Sequence, residues 1–222
     1  MAANEIEFKI KLTAEKIKKF FNDNDKWTTH KLSVDDGGIR NDFYYAEVKY
    51  KDDIQKHIKA GKVPVKRIRY EGTLKNFGKN ASSINYLLSD NFDPKQPCLI
   101  PSEVLYTEKK RIVNNGVETN IEYEVSGKEA EDKIAAVKDE SKYFCWFNKQ
   151  KKYLRVITKS DKNIHLEFVN VNGLLYLEAE IVGLDGSVSE RLSKLEKCVE
   201  DLGFDIKDRD GTPWVVLLGK VK

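Results

Sequence analysis

From Glu5 to Leu12 charged and apolar residues alternate without a break. Glu5, Glu7, Lys9 and Lys11 fall on one face of an extended strand, and Ile6, Phe8, Ile10 and Leu12 on the other. The same pattern returns far along the chain. Glu178 and Glu180 oppose Leu175, Leu177, Ala179 and Ile181, while Glu122 and Glu124 oppose Ile121, Tyr123 and Val125. Arg67 and Arg69 share a face, as do Lys109 and Arg111, and Arg155 alternates with Leu154 and Val156.

A half-buried sheet with its charged face in water would account for any one of these strands. Taken together, however, they sort their charge by strand. Carboxylates sit at Glu5/Glu7, Glu122/Glu124 and Glu178/Glu180, and bases at Arg67/Arg69 and Lys109/Arg111. Several short amphipathic helices also need apolar sheet to cover. Thr13 can cap a helix carrying Ile17, Phe20 and Phe21, and further helices are predicted over 52–60 and 81–88. Ser126 with Glu129 has the spacing of a capping box, and a last helix starts near Ser187 or Ser189 and stops at Gly203. If helices take the apolar faces, the charged faces must point inward. The prediction is an α+β fold: one domain over 1–222, a closed antiparallel eight-stranded β-barrel with helices packed outside.

Local punctuation adds detail. Asp35, Asp36, Gly37 and Gly38 read as a turn, 143–147 and 153–158 as two separate strands, and 214–218 as a final strand. Residues 89–101, with Pro94, Pro97 and Pro101, read as a long surface loop.

Composition narrows the class. In 222 residues, 40% hydrophobic and 34% charged content supports a packed core and argues against disorder. The 39 basic residues against 36 acidic leave a net charge of +3, too balanced to predict sequence-specific DNA binding. Cys98, Cys145 and Cys198 are odd in number and far apart, so reduced thiols are expected and a zinc site is not. No run approaches the ~18 apolar residues of a membrane span, and Met1–Lys11 lacks a signal-peptide core, so a cytoplasmic location is the expectation. His30, His57 and His165 have no metal-ligand spacing, although His165 shares a face with Glu167.

Carboxylates facing one interior raise each other's pKa, and opposed bases or a divalent cation relieve that cost. Mg²⁺ commonly takes one or two carboxylates plus substrate phosphates, and Arg and Lys hold phosphate oxygens. The interior therefore suits a metal–polyphosphate site.

Glu5-Ile6-Glu7-Phe8-Lys9 resembles the Glu-x-Glu-x-Lys signature that opens CYTH, or triphosphate tunnel, proteins. Arg67-Ile68-Arg69, Lys109-Lys110-Arg111, Glu122-Tyr123-Glu124 and Arg155 follow in the family's order, as does a late hairpin with Glu167, Gly173, Glu178 and Glu180. The resemblance spans nearly the whole chain. It implies an eight-stranded tunnel and Mg²⁺- or Mn²⁺-dependent chemistry on a small-molecule triphosphate or an RNA 5′-triphosphate end. The implied activity is a triphosphatase on an inorganic, nucleotide, thiamine or RNA substrate. Alternatives are a class IV adenylyl cyclase or a tunnel that binds nucleotide or polyphosphate without turnover. By matching positions, Glu5, Glu7, Glu178 and Glu180 are the metal-side residues. Lys9, Arg67, Arg69, Lys109, Arg111 and Arg155 contact phosphates, and Glu5, Glu7, Lys9, Glu122 and Glu124 form the catalytic set. Three features depart from the family pattern: Glu167 stands where many members have Asp, the 72–101 insert is long, and the His-Phe pair that precedes the signature in some cyclase-type members is absent, which disfavours the cyclase alternative.

Overall fold

The computed structural model describes residues 3–59, 63–102, 104–114, 117–183, 186–212 and 214–219. Strand β1 (Ala3–Lys11) leads into helices α1 (Ala14–Asn22) and α2 (Asn24–Thr29), then the long strand β2 (Leu32–Glu47). A 3₁₀ turn over Val48–Asp53 passes into α3 (Ile54–Lys59), followed by β3 (Val65–Leu74), α4 (Ala81–Leu88) and the short β4 (Leu99–Pro101). The hairpin of β5 (Leu105–Asn114) and β6 (Val117–Val125) precedes α5 (Gly127–Val137). The meander of β7 (Tyr143–Thr158), β8 (Asp161–Val171) and β9 (Leu174–Val182) leads to α6 (Val188–Asp201), β10 (Arg209–Asp210) and α7 (Trp214–Gly219).

All strands join one antiparallel sheet of ten, in the order β10-β1-β6-β5-β3-β2-β7-β8-β9 with β4 on β3. Strand β1 pairs with β6 over Ala3–Glu7 and with β10 at Lys9 and Ile10. It also pairs with β9, where Glu7 faces Glu180 and Lys9 faces Glu178. The expected eight strands become ten because β4 and β10 add short pairings to β3 and β1.

The apolar core lies between the sheet and its helices. Ile6, Phe8 and Ile10 are buried with Ile17, Phe20 and Phe21 of α1 and Leu195 and Val199 of α6. Burying side chains of this size contributes roughly 1.5–3 kcal/mol each, which commits the apolar face of β1 to the helices and turns Glu5, Glu7 and Lys9 the other way. Thr13 caps α1 by accepting from the Lys16 amide, and Ser187 with Glu190 forms a complete capping box on α6. At α5 the Ser126 side chain makes no cap hydrogen bond.

Four local expectations fail, the first being the 89–101 loop, whose last residues Leu99–Pro101 pair with β3 as β4. Asp35–Gly38 is not a turn but lies inside β2, and a Cβ on Gly38 would sit 2.1 Å from the Gly72 carbonyl oxygen. These glycines serve close strand contact rather than chain reversal. Residues 143–158 form a single strand, and 214–218 lie in helix α7. Among the described residues no helix is long and apolar enough to cross a membrane.

Candidate metal and phosphate site

The charged faces of the strands surround a cavity of about 450 Å³. Glu5, Glu7 and Lys9 of β1 line it, with Arg67 and Arg69 of β3, Glu122 and Glu124 of β6, Arg155 of β7, and Glu178 and Glu180 of β9. The sequence reading thus places ten residues on one cavity. Lys109 and Arg111 belong to β5, but their side chains lie outside the described residues.

On the acidic side, one carboxylate oxygen each from Glu5, Glu7 and Glu180 lies within 4.8 Å of the other two. Trans ligands of an octahedral Mg²⁺ stand about 4.2 Å apart and adjacent ones about 3 Å. The spacing and hard-oxygen chemistry of this trio fit a divalent cation. The structure does not bring Glu178 into the trio. Its carboxylate accepts from Lys151 Nζ at 2.7 Å and from the Trp214 indole nitrogen. Burial raises the Glu178 carboxyl, but Lys151 and Lys149 outweigh it and leave the pKa below the ordinary value. Behind the trio, His165 Nδ1 lies 2.7 Å from Glu180 Oε1, and that hydrogen bond raises the imidazole's pKa.

On the basic side, the arginines are held by acids. Arg69 donates to both oxygens of Asp42 at 2.7 and 3.0 Å. Asp42 is completely buried; burial raises its pKa, but Arg69 and Arg67 hold it well below the usual carboxylate range. Arg67 donates to Thr107 Oγ1 at 2.9 Å and to Glu124 at 3.1 Å, with Glu122 at 3.9 Å, and its Nε has no partner among the described residues. Glu122 and Glu124 thus orient Arg67. Arg155 reaches the cavity edge with its guanidinium beside Asp35 at 3.2 Å and Asp36 at 3.3 Å.

The sequence reading missed a second tier. Lys149 and Lys151 of β7 and Arg40 of β2 all line the cavity and are buried. Arg40 donates to both oxygens of Glu167 at 2.8 Å and to Glu71, while its guanidinium lies 3.8 Å from the Tyr153 ring centroid. Lys151 bridges Glu167 at 2.8 Å and Glu178 at 2.7 Å. Lys149 and Lys9 are held more loosely. Lys149 Nζ is 3.8 Å from Asp42, and Lys9 Nζ is 4.0 Å from Glu7. Burial pushes the Lys149 ammonium down to about 7, Asp42 opposing and Lys151 reinforcing the shift. Two buried cations with long ion pairs are costly to the fold and well suited to an incoming polyanion.

No family model matches the chain, and no curated protein does. Solved structures do. The PH1819 protein of Pyrococcus horikoshii OT3 superposes with a TM-score of 0.66 at 19% identity, covering 98% of this chain and 99% of that one. A candidate adenylate cyclase from Vibrio parahaemolyticus gives 0.60 at 12% identity, covering 97% of each chain. HpAC1 from Hippeastrum, an adenylyl cyclase candidate described as having a dominant triphosphatase activity, gives 0.55 at 14% identity over 98% of this chain and 96% of that one. The likeness runs over nearly the full length of each chain and shows that these proteins share one fold.

Proposed function

We propose that this protein is a divalent-metal-dependent triphosphatase, removing the terminal phosphate of a triphosphate held inside a closed eight-stranded tunnel. The pairing of β1 with both β6 and β9 supports the closed reading, because it carries the strand path back to its start. One observation carries the proposal. A carboxylate trio of Glu5, Glu7 and Glu180 shares a cavity with the loosely paired cations Lys9 and Lys149.

In this reading Glu5, Glu7 and Glu180 would hold Mg²⁺ or Mn²⁺, which when bound would supply charge neutralisation of phosphate oxygens and a polarised water. Lys9, Lys149, Arg67 and Arg69 bind the phosphates and take up charge as the terminal phosphoryl group leaves. Asp42, Glu122 and Glu124 keep the guanidiniums aimed, and Lys151 with Glu167 fixes Glu178. The likeness to HpAC1, with its described triphosphatase activity, is in keeping with this reading.

The test is phosphate release from tripolyphosphate, nucleoside triphosphates, thiamine triphosphate and triphosphate-ended RNA, with Mg²⁺, with Mn²⁺ and with EDTA. Metal-dependent release from at least one substrate is expected. No release from any of them ends the hydrolase reading, and cyclic nucleotide with pyrophosphate from ATP replaces it with a cyclase.

A further inference from the structure

One wall of the cavity is not explained by charge. Tyr44, Trp146 and Phe147 line it together. Tyr44 lies 5.5 Å from Phe147 and 6.1 Å from Trp146 between ring centroids, and Trp146 stacks on Phe147 at 5.7 Å and 27°.

Strict alternation along β7 would send Trp146 and Phe147 to opposite faces. The β2–β7 register breaks at this point: Tyr44 pairs with Phe147 and Tyr45 with Cys145, leaving Trp146 without a partner residue. Such a bulge sets two residues against one and re-aims the extra side chain, a device common beside active sites. Here it brings both aromatic rings to the cavity. Hydrogen bonding within the fold does not account for the arrangement. The Trp146 indole nitrogen is shielded from solvent and has no hydrogen-bond partner among the described residues, which is unfavourable to the fold.

The wall adjoins the phosphate-binding cations, since Lys149 Nζ is 5.8 Å from the Tyr44 ring centroid. An inorganic polyphosphate offers nothing to an aromatic wall. A nucleobase does, because every base has a π-face on which an aromatic side chain stacks. Resting on the function proposed above, we infer that Tyr44, Trp146 and Phe147 form a stacking subsite for the base of a nucleoside triphosphate whose phosphates lie toward Lys149. The substrate class is then triphosphates that carry an aromatic base, and thiamine triphosphate bound more tightly than ATP in the titrations below assigns the wall to thiamine instead.

The experiment measures the dissociation constants of ATP, thiamine triphosphate and tripolyphosphate in EDTA, by calorimetric titration of wild type, Trp146→Phe and Trp146→Ala. Stacking on one base is worth roughly fivefold to a hundredfold in affinity. The ratio of ATP to tripolyphosphate affinity should fall about tenfold in Trp146→Ala and stay within about threefold of wild type in Trp146→Phe. Tyr44→Leu, read in the same way, decides the matter if Trp146→Ala does not fold. An unchanged ratio in folded variants overturns the subsite, as does the absence of ATP binding to wild type. The two readings fail separately. A tenfold fall without phosphate release by wild type removes the hydrolase and keeps the subsite. Metal-dependent release from tripolyphosphate with an unchanged ratio does the reverse.

Discussion

Lys149 Nζ stands 3.8 Å from Asp42 Oδ2, yet Arg69 already engages both oxygens of that carboxylate at 2.7 and 3.0 Å. The lysine shares a counter-charge that is largely spent. Burial therefore dominates and pushes the ammonium down to about 7.

The pH dependence follows with a definite sign. In the unfolded chain Lys149 titrates near the ordinary ~10.4, so between about pH 7 and pH 10 the unfolded state binds more protons. Its contribution to stability rises with pH across that window. Lys152, lowered to about 8, adds a rise of the same sign. Thermal melts of metal-free protein at pH 7 and 9 should therefore show a smaller increase in Lys149→Met than in wild type. A bound polyanion restores the charge, so tripolyphosphate binding at pH 8 should take up close to one proton per site. Calorimetry in buffers of different ionisation enthalpy checks this, and zero uptake contradicts it.

Glu7 and Glu180 face each other across the β1–β9 pairing, and with Glu5 they crowd three carboxylates within 4.8 Å. Glu7→Gln and Glu180→Gln keep the volume and remove one charge. Mn²⁺ affinity and turnover should each fall about a hundredfold or more. Melting in EDTA should stay level or rise, because carboxylate repulsion is relieved. Wild-type Mn²⁺ affinity in both variants would remove this trio as the metal site.

Which parts of the site could be read in advance depended on the partner residues on the opposite face. Glu5, Glu7 and Lys9 were legible because Ile6, Phe8 and Ile10 between them are all buried under helices. Lys149 and Lys151 were not, because Lys152 on the outer face is also a cation and Asn148–Lys152 reads as polar loop. The structure explains the exception. Lys152 is buried and donates to the Tyr86 and Ser89 carbonyls at 3.0 and 2.7 Å, with Tyr86 and Phe92 rings 4.8 Å away. The insert over 72–101 supplies those partners from more than sixty positions upstream, beyond any local pattern. Trp146 was hidden by the bulge, which breaks the period-two rule itself.

Gly38 tests the strand reading of Asp35–Gly38. A Cβ there would lie 2.1 Å from the Gly72 carbonyl oxygen, so β2 and β3 must separate next to the Arg40–Glu71 ion pair. Gly38→Ala should cost about 3 kcal/mol or more in urea denaturation. Gly78→Ala, whose Cβ would meet the Asn80 side-chain nitrogen at 3.2 Å, should stay within about 1 kcal/mol. Equal stability of the two variants would return Asp35–Gly38 to a turn.

Glu167 is the buried acid on which Arg40 and Lys151 both depend, accepting at 2.8 Å from each. Burial raises its carboxyl, but the two cations hold it well below the ordinary value. A carboxylate with a depressed folded pKa contributes stability above its unfolded pKa near 4.3 and loses it as pH falls toward the folded value. Glu167→Gln keeps the shape and leaves two buried cations short of a counter-charge, which should cost about 3–5 kcal/mol at pH 7. The loss should shrink below pH 4, where the wild-type carboxylate begins to lose its own advantage. Adding Lys151→Met to Glu167→Gln should recover part of the stability, because one unmatched cation goes with it, and a double-mutant cycle measures that coupling. Tripolyphosphate affinity separates structure from function here: removing an acid from the cavity should leave binding equal or tighter even as the protein becomes less stable. Glu167→Gln as stable as wild type at pH 7 would mean that Arg40 and Lys151 find their counter-charge elsewhere, and the Arg40–Glu167–Lys151 array would lose its assigned role.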